Sequence, residues 1–367
     1  MAYGTVNADL MTTSDGVSSS GLYGFKNRLI NSAMVIDQRN AGASVTPTDG
    51  QYTLDRWVAG LSQASKFTVQ QNAGSITPAI GFSNYLGVTS SSAYSITSTD
   101  YFGISQNIEG FNSSDLGWGT ANAKTITISF WVYSSLTGTF VCALRNSANN
   151  RSYPSTYTIS SANTWEQKSI TIAGDTTGTW IGATNGIGLR VQFSIGVGST
   201  FQGTANSWQS GSYTSVAGAT SVVGTNGATF YITGVMLEKG STATSFDYRP
   251  YGTELALCQR YYWKITATGY YPCIGLARST TITRNVIAFP VPMRVVPTSL
   301  STTGTASNYS LIGDVGVACS AVPTLNDSTT TGGVIGCTVS SGLTNGYPYL
   351  LNNNASPDSY LAWSAEL

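Results

Sequence analysis

Aromatic side chains in glycine- and serine-rich segments are the residues of this sequence best suited to chemistry at a surface. Trp118 lies in "LGWGTAN", and Trp208 and Tyr213 lie in "TANSWQSGSYTS". Segments of this composition form loops, and loops expose their side chains to solvent. An exposed ring stacks on the apolar C–H face of a sugar while nearby amides and hydroxyls pair with the sugar hydroxyls. Trp118, Trp208 and Tyr213 are therefore candidate glycan-binding residues.

The C-terminal part of the chain has comparable candidates. Tyr347 and Tyr349 follow the turn-forming pair Asn345-Gly346, and Tyr360 lies in the last apolar run. For every one of these rings there is a competing interpretation, in which the ring closes the end of a β core. The sequence leaves both interpretations open.

The residue types exclude several kinds of catalysis. The chain has no histidine, which removes Ser-His-Asp and Cys-His catalysis and the commonest metal ligand. Glycoside hydrolysis needs two carboxylates that flank a cleft. Asp55, Asp100, Glu109 and Asp115 are scattered through the sequence and form no recognisable pair. The sequence therefore predicts a protein that is not an enzyme and that holds no cofactor and no metal through side-chain ligands.

The charge balance excludes a nucleic-acid partner. Charged residues make up only 9% of the chain, and 17 Lys and Arg balance 17 Asp and Glu, for a formal net charge of +0. Binding to nucleic acid needs a basic surface that displaces counterions. Aromatic residues make up 11% of the chain, whereas disordered chains are charge-rich and poor in aromatics. A folded protein with a neutral, hydroxyl- and amide-rich surface is expected.

Cysteine usage and hydropathy bear on the compartment. The five cysteines show no C-x-x-C spacing, which favours buried free thiols over disulfides. No apolar run reaches the ~18 residues that a membrane-spanning helix needs, so no membrane insertion is expected. The start "MAYGTVNADL" has no basic region and no apolar core, which predicts synthesis in the cytoplasm without a signal peptide.

Alternating hydrophobicity predicts β-strands over residues 25–250. In 126–133 the apolar Ile126, Ile128, Phe130 and Val132 alternate with other residues, and 187–197 is the longest period-2 run. Turn-forming dipeptides recur between such runs: Asp49-Gly50, Asn185-Gly186 and Asn226-Gly227. Many short strands without a long helical period predict a jelly roll or two-sheet β-sandwich domain.

A single short helix is predicted to link this domain to the rest, within residues 251–264. Thr253 can cap a helix that starts at Glu254 and runs to Lys264. Apolar residues fall on two stripes of this helix, so one stripe is left for a symmetry partner. We expect a homotrimer whose interface uses Leu255, Leu257, Cys258, Tyr261 and Tyr262.

Residues 265–367 are predicted to form a second, C-terminal β-sandwich domain. The run "AFPVPMRVVP" can form only a break or an edge strand, because proline has no backbone N–H to donate to a neighbouring strand. The segment "SYLAWSAEL" is predicted to form the last strand. At the other end, residues 1–24 contain the low-complexity run "TTSDGVSSSGLYG" and no periodic apolar pattern. They are predicted to be an extended N-terminal arm, either disordered or ordered on a partner.

Four stretches carry a resemblance to a known family. "FYITGVMLEKGSTATSF" is similar to the closing strand of carbohydrate-binding-type jelly rolls. "RPYGTELALCQRYYWK" resembles the segment that follows it in many bacteriophage tail-fibre and virion structural proteins. "NRLINSAMVIDQRN" and "TWEQKSITIAG" support the same family, so that the resemblance covers most of the chain.

This resemblance implies a virion protein made in the host cytoplasm. It favours a trimeric tail fibre or spike that binds a bacterial surface glycan without catalysis and attaches to other virion proteins, of the tail, baseplate or capsid, through the N-terminal arm. The alternative is a head fibre or decoration protein on the capsid. A third interpretation, an accessory domain of a secreted polysaccharide-degrading enzyme, is disfavoured by the missing signal peptide.

The resemblance also raises the question of a structural calcium ion, which such jelly rolls often hold near the first and last strands. The similar places in this sequence contain Ser32, Ala33 and Met34, then Thr233 and Gly234. Calcium prefers carboxylate-rich oxygen sites. The departure argues against the ion, although backbone carbonyls remain able to hold one.

Overall fold

The computed structural model describes residues 25–367, so the predicted arm of residues 1–24 lies outside the described part. The chain divides into two compact units between Tyr251 and Gly252. Both units are built almost entirely from antiparallel strands, which confirms the all-β fold class.

The first unit is a sandwich of two sheets. The seven-stranded sheet has the order β1-β2-β5-β10-β7-β8-β11 and the five-stranded sheet the order β3-β4-β12-β6-β9. The strands are β1 (Tyr52–Leu54), β2 (Trp57–Leu61), β3 (Phe67–Gln71), β4 (Leu86–Ser90), β5 (Tyr101–Glu109), β6 (Ile126–Ser134), β7 (Gly138–Arg145), β8 (Arg151–Ile159), β9 (Glu166–Ile172), β10 (Ile187–Val197), β11 (Gln209–Ser210) and β12 (Thr229–Lys239).

Side-chain alternation fixes which face of each strand forms the core. The predicted 187–197 run is strand β10, in the middle of the seven-stranded sheet. Its Phe193 meets Phe130 of β6, from the opposite sheet, with ring centroids 5.0 Å apart in an edge-to-face contact. A slip of β10 by one residue would turn this apolar set outward, so the core pins its register.

The chain covers part of the outer face of the five-stranded sheet with its own segments. Phe82 packs against Phe246 and Tyr248, with ring centroids 5.0 and 5.7 Å away. Gly234 in β12 lies beneath Phe82 with φ of +59°, and a Cβ there would come within 2.4 Å of the ring. Only glycine suits both the backbone conformation and the close approach.

The second unit is a closed barrel with a small sheet beside it. The barrel order is β14-β15-β19-β18-β17-β20, where β20 also pairs with β14, and the three-stranded sheet has the order β13-β21-β16. Its elements are α1 (Tyr251–Gln259, which begins at the unit boundary), β13 (Tyr262–Thr266), β14 (Tyr270–Ala277), β15 (Ile282–Ala288), β16 (Ser301–Thr302), β17 (Ser310–Ile312), β18 (Gly316–Ser328), β19 (Gly332–Val339), β20 (Pro348–Asn352) and β21 (Tyr360–Ser364).

A barrel here differs from the second sandwich that the sequence predicts. Closure depends on β20, which pairs with both β14 and β17 and so joins the two ends of one sheet. A closed sheet has no unpaired edge strands, whereas two packed sheets leave four. The alternating pattern of the strands is the same in both arrangements, and it does not distinguish them.

The linking helix is shorter than predicted. It begins at Tyr251 and ends at Gln259, and Tyr262 starts strand β13 instead of continuing the helix. The carbonyl of Tyr261 accepts a hydrogen bond from the Ala365 N–H at 2.7 Å, and β13 pairs with β21. Pairing with a distant strand outweighs the local helical period.

This change bears on the predicted trimer interface. Cys258, Tyr261 and Tyr262 are buried within a single chain, whereas Leu255 and Leu257 are half-buried. Tyr261 is only 1% exposed and has no ring surface left for another subunit. Burial therefore removes the first three residues from the predicted interface as direct contacts.

All five cysteines are free and buried, as the spacing predicts. Burial raises the pKa of the Cys273 thiol to about 11, so the thiol stays protonated at neutral pH. Across residues 25–367, no helix has the length and apolar content needed to cross a membrane.

Candidate functional site

Two of the predicted tryptophans lie in one aromatic cluster of the sandwich. Trp118, Trp180 and Trp208 contact one another edge to face, with ring centroids 4.9 to 5.5 Å apart. Tyr153 of β8 packs on Trp208 at 5.0 Å. Trp118 is buried, and the other two tryptophans are half-buried. The ring of Trp118 therefore cannot stack on a ligand, which corrects its assignment as a glycan contact.

The indole N–H groups of this cluster are also occupied. Trp208 Nε1 donates to the Ala173 carbonyl at 2.7 Å, and Trp118 Nε1 donates to the Lys124 carbonyl at 2.8 Å. Buried ring N–H groups need such partners, and here they hold the loops of the sandwich together. The cluster has the features of a core closure, the competing interpretation for these residues.

A small cleft lies beside this cluster. It has an empty volume of about 300 Å³ and includes the edge of Trp180 and the side chains of Ser113 and Ser114 in its walls. Both serine hydroxyls donate to backbone carbonyls, of Gly110 and Phe111 respectively. The cleft therefore offers few free polar groups to a ligand.

Tyr213, the third predicted contact in the sandwich, lies apart from the tryptophans. Its half-buried ring is held close to the backbone of Gly203 and Gly211, where a Cβ would approach ring atoms to 2.7 and 2.6 Å. Glycine at both positions lets the chain fold tightly over the ring. This contact fixes the ring in the loop and covers part of its surface.

Two carboxyl groups of the sandwich, those of Asp175 and Asp115, have a lowered pKa. Burial raises the pKa of Asp175, but hydrogen bonds from Arg151 and the Thr177 backbone outweigh it and give a lowered pKa. Asp115 has a lowered pKa for the same reason, with Arg28 and Lys239 as partners. A glycosidase acid needs a raised pKa instead.

A second aromatic surface lies on the outer face of the five-stranded sheet, and the sequence-based candidates did not include it. Trp131 and Tyr133 of β6 alternate with the core residues Phe130 and Val132, so they face outward. Trp165 precedes β9, and its ring centroid lies 5.5 Å from that of Tyr133. We call these three half-buried side chains, Trp131, Tyr133 and Trp165, the aromatic face.

Strand pairing arranges the aromatic face in two rows. Trp131 is directly opposite Gln167 of β9, and the same register carries Tyr133 opposite Trp165. Side chains directly opposite on antiparallel strands have Cβ atoms about 4.5–5.5 Å apart. Two rows of two side chains therefore form a small, continuous patch with an amide at one corner.

A buried layer of tyrosines supports this patch. The Tyr133 ring stacks on Tyr231 at 5.3 Å with an interplanar angle of 6°, and Tyr231 stacks on Tyr85 at 5.1 Å. The Tyr85 hydroxyl donates to the Ala73 carbonyl at 2.6 Å and accepts from the Ile76 N–H at 3.0 Å. Burial raises the pKa of Tyr85, so the hydroxyl stays protonated. The supporting rings are thus fixed before any ligand arrives.

The polar groups of the aromatic face suit a neutral ligand. Trp165 Nε1 is engaged with the Thr77 carbonyl at 2.9 Å. By contrast, neither the Trp131 indole N–H nor the exposed Gln167 amide has a hydrogen-bond partner within residues 25–367. The patch carries no charge. It combines partly exposed rings with free amide and N–H groups, the combination that stacks on a sugar and pairs with its hydroxyls.

The predicted residues of the second unit have different environments. Tyr349 is buried inside the barrel, where its hydroxyl accepts a hydrogen bond from the Thr344 N–H at 3.0 Å, so it is not a surface contact. Tyr347 is 41% exposed and its hydroxyl donates to Asp314 at 3.3 Å. Tyr347 alone of this pair remains accessible.

The place where the resemblance suggests calcium is occupied by a side-chain amide. Asn27 Nδ2 donates to Ser32 Oγ at 2.8 Å and to the Val235 carbonyl at 2.9 Å. Its Oδ1 accepts from the N–H groups of Leu29 and Leu237, each at 3.0 Å. A donor NH₂ group points at the oxygens that a cation would need, so these residues do not fit a calcium ion. Asn27 links the first segment to β12 instead.

Comparisons with known proteins do not assign this chain to a family. No protein-family model and no curated protein matches the sequence. Among solved structures, the enzymatically active domain of tailspike protein 4 of bacteriophage CBA120 matches 58% of this chain with a TM-score of 0.30 and 13% identity. The match spans 21% of that tailspike chain, about a fifth of its length.

Carbohydrate-binding modules are also among the structural matches. The family 11 module of a Clostridium thermocellum cellulosomal cellulase matches 56% of this chain and all of its own, with a TM-score of 0.27 and 14% identity. TmCBM61, solved with β-1,4-galactotriose, matches 59% of this chain and 99% of its own, with a TM-score of 0.29 and 11% identity. Likeness at this level does not transfer a ligand or an activity.

Proposed function

We propose that this chain binds a neutral or weakly charged glycan through the aromatic face. One observation carries the proposal: Trp131, Tyr133 and Trp165 are half-buried on the outside of a sheet, pre-arranged by buried tyrosines and next to unpaired polar groups. A flat, uncharged aromatic patch of this kind is complementary to the apolar face of a sugar ring.

The expected affinity of one site is low. A ring contact of this kind contributes on the order of 1 kcal/mol beyond area burial. Two or three such contacts supply about 2–3 kcal/mol, and the burial of apolar area supplies the rest of the roughly 4–8 kcal/mol that a millimolar to micromolar Kd requires. Several linked copies on one particle raise the apparent affinity by a factor of about 10²–10⁴. Weak single sites are therefore sufficient for a multivalent protein.

Binding without hydrolysis is part of this proposal. The chain has no histidine, and the carboxyl groups of Asp100, Asp115, Glu166 and Asp175 have a lowered pKa. None of these four carboxyls holds a proton near neutral pH for a leaving group. The expected result of incubation with a bound polysaccharide is unchanged chain length.

We place this glycan binding in a bacteriophage virion, as a homotrimeric tail fibre or spike that meets the host surface. The support is the sequence resemblance of residues 230–246 and 249–264, together with the neutral, hydroxyl-rich composition. Residues 1–24 would attach the protein to the tail, baseplate or capsid. A head fibre or decoration protein on the capsid is the alternative, and immunogold electron microscopy of intact particles separates the two locations.

Affinity electrophoresis in gels that contain soluble bacterial polysaccharides tests the binding function. The parent chain should be retarded by at least one polysaccharide, and Trp131→Ala and Trp165→Ala should restore free migration. Phe111→Ala is the matched control, since Phe111 is an aromatic side chain of the same unit that is 56% exposed and lies outside the aromatic face. Equal retardation of all three variants would remove the aromatic face from the binding site.

A further inference from the structure

Three neighbouring strands of the barrel carry apolar side chains on their outward face. In β14 the outward residues Ile274 and Leu276 are 60% and 52% exposed, and in β15 the outward Val286 is 62% exposed. Antiparallel strands with one solvated face normally alternate apolar inward residues with polar outward ones. Here several outward positions are apolar instead of polar, while the inward face of β15 includes the buried polar residues Thr283 and Asn285.

The strand register makes these side chains one continuous surface. Ile274 is directly opposite Val286 on one side and Leu350 of β20 on the other, so one apolar row crosses three strands. Tyr270 and Ile282, which are 57% and 40% exposed, extend the surface along β14 and β15. We call this surface the barrel face, with the members Tyr270, Ile274, Leu276, Ile282, Val286 and Leu350.

The size of the barrel face is that of a protein interface. The exposed fractions of its six members correspond to roughly 600 Å², at the upper end of the largest apolar patch on a typical monomer. The exposed Pro272, Ala288 and Pro348 border it and bring the total toward the ~800 Å² that each partner buries in a standard interface. A patch of this size is more than scattered surface apolarity.

We propose that the barrel face is the contact surface for a second copy of this chain. Among the outward positions of β14, β15 and β20, Arg284 is the only charged residue, so the surface offers no match to a charged partner. Arg284 lies within the face, opposite Leu276 and between Ile282 and Val286, so between copies its aliphatic stem packs beside the apolar row while its guanidinium reaches solvent. Because the barrel is closed, its own strands cannot associate by edge pairing, and a contact through the barrel face is face to face.

An open groove lies next to the barrel face and could receive a side chain of the second copy. It has an empty volume of about 590 Å³, open to solvent, and is lined by Val286, Ala288 and Val334 on one side and by the polar Asp327 and Thr331 on the other. Apolar side chains of an interface core insert into recesses of this kind, where they are fully desolvated. The groove thus allows a side chain of the second copy to be buried beside Val286.

The barrel face differs from the helix surface for which the sequence predicts self-association. The predicted interface residues Cys258, Tyr261 and Tyr262 are already buried in the single chain, whereas the members of the barrel face are accessible. Charged substitutions at Tyr261 are therefore expected to unfold the subunit, and charged substitutions on the barrel face are expected to separate subunits.

Sedimentation velocity of the full chain across a micromolar concentration series tests this inference. The parent chain should sediment as an oligomer, and Val286→Glu should weaken self-association by at least about tenfold, since a charge is placed in an apolar interface core. Val315→Glu is the matched control, because Val315 is 74% exposed in the same unit but lies in the turn between β17 and β18. The control should sediment like the parent.

The remaining outcomes overturn the inference. A parent chain that is monomeric at micromolar concentration, or a Val286→Glu variant that assembles like the parent with unchanged circular dichroism, removes the second copy as the occupant. Flotation of a monomeric parent with phosphatidylcholine vesicles, lost in Val286→Glu, would assign the barrel face to a lipid surface.

Discussion

The sandwich and the barrel both have apolar or aromatic residues on the outside of a sheet, but they differ in how far the chain itself covers these residues. In the sandwich, segments of the same chain cover much of that surface: residues 73–77 lie against Tyr85, and Phe82 lies over Gly234. In the barrel, Ile274, Val286 and their neighbours remain exposed. The sandwich covers its outer sheet surface with its own loops except at the half-buried aromatic face, whereas the barrel leaves its outer apolar residues exposed.

This difference separates stability from assembly. Residues beneath a covering segment contribute to the free energy of unfolding of their own unit, because they are buried whether or not a partner is present. Exposed apolar residues contribute little to that free energy and act when another surface covers them. Substitutions of covered residues in the sandwich should therefore lower its free energy of unfolding. Substitutions of exposed apolar residues in the barrel should instead weaken self-association.

The largest effect is expected from a matched pair of tyrosine substitutions. Tyr85→Ala removes a fully buried ring and its two hydrogen bonds, and should lower the free energy of unfolding of the sandwich by about 3–5 kcal/mol. Tyr270→Ala removes a ring that is 57% exposed in the single chain and, at concentrations where the chain is dissociated, should change the free energy of unfolding of the barrel by less than about 0.5 kcal/mol. Urea unfolding followed by tryptophan fluorescence measures both. Similar losses in the two variants would break the comparison.

A polar substitution sharpens the comparison with a smaller effect. Asn27→Ala leaves the N–H groups of Leu29 and Leu237 without their side-chain acceptor, and should cost the sandwich about 2–3 kcal/mol. Asn122→Ala, at an exposed turn position of the same unit without a positive φ, serves as the control and should have a minor effect. If added calcium restored the stability of Asn27→Ala, the conclusion that these residues do not fit the ion would be wrong.

As the pH falls, the sandwich should lose stability at a higher pH than the barrel. Asp100, Asp115, Glu166 and Asp175, whose carboxyl groups have a lowered pKa, all lie in the sandwich. Burial raises the pKa of Asp100, but hydrogen bonds from Thr97, Ser62 and Tyr94 outweigh it and lower the pKa from 3.8 to about 2. A lowered folded-state pKa gives stability that is present above the unfolded value and lost as pH falls toward the folded value.

The loss should therefore appear between pH 3.8 and about 2, and Asp100→Asn should flatten this part of the pH profile. Thermal melts of the parent and the variant over that range measure it. An identical slope in both proteins would show that Asp100 does not contribute.

The smallest effect is expected from salt. The aromatic face and most of the barrel face carry no charge, so few ion pairs are available for screening. Glycan affinity should change by less than about twofold between low and high salt, as measured by affinity electrophoresis. A steep fall in affinity at high salt would indicate a charged site elsewhere on the molecule.

The alternation of apolar residues with other residues along the sequence predicts many of the strands. For β10 the predicted and observed bounds are both 187–197. The same pattern assigns Trp131 and Tyr133 to the face opposite the core. The alternating pattern does not predict which outward-facing residues are covered by other segments of the chain. That depends on contacts between distant segments, such as the Trp165 N–H with the Thr77 carbonyl, 88 residues apart.

The same limit explains the candidate residues that proved to be buried. Loop composition places Trp118 at a surface, but its neighbours Trp180 and Trp208 come from segments far along the chain and close around it. The end of the helix at Gln259 is likewise set by the pairing of β13 with β21, about a hundred residues later. Local sequence gives the face of a side chain, and long-range packing decides its exposure.

Fluorine NMR on 5-fluorotryptophan-labelled protein tests the central claim most directly, because the eight tryptophans of the chain report separately on each surface. Resonances are assigned with single Trp→Phe variants, and the protein is titrated with a polysaccharide that retards it in affinity electrophoresis. We expect the Trp131 and Trp165 resonances to shift, while those of Trp118 and Trp363, which are buried, stay in place. Shifts confined to Trp180 and Trp208, with Trp131 and Trp165 unchanged, would contradict the assignment of glycan binding to the aromatic face.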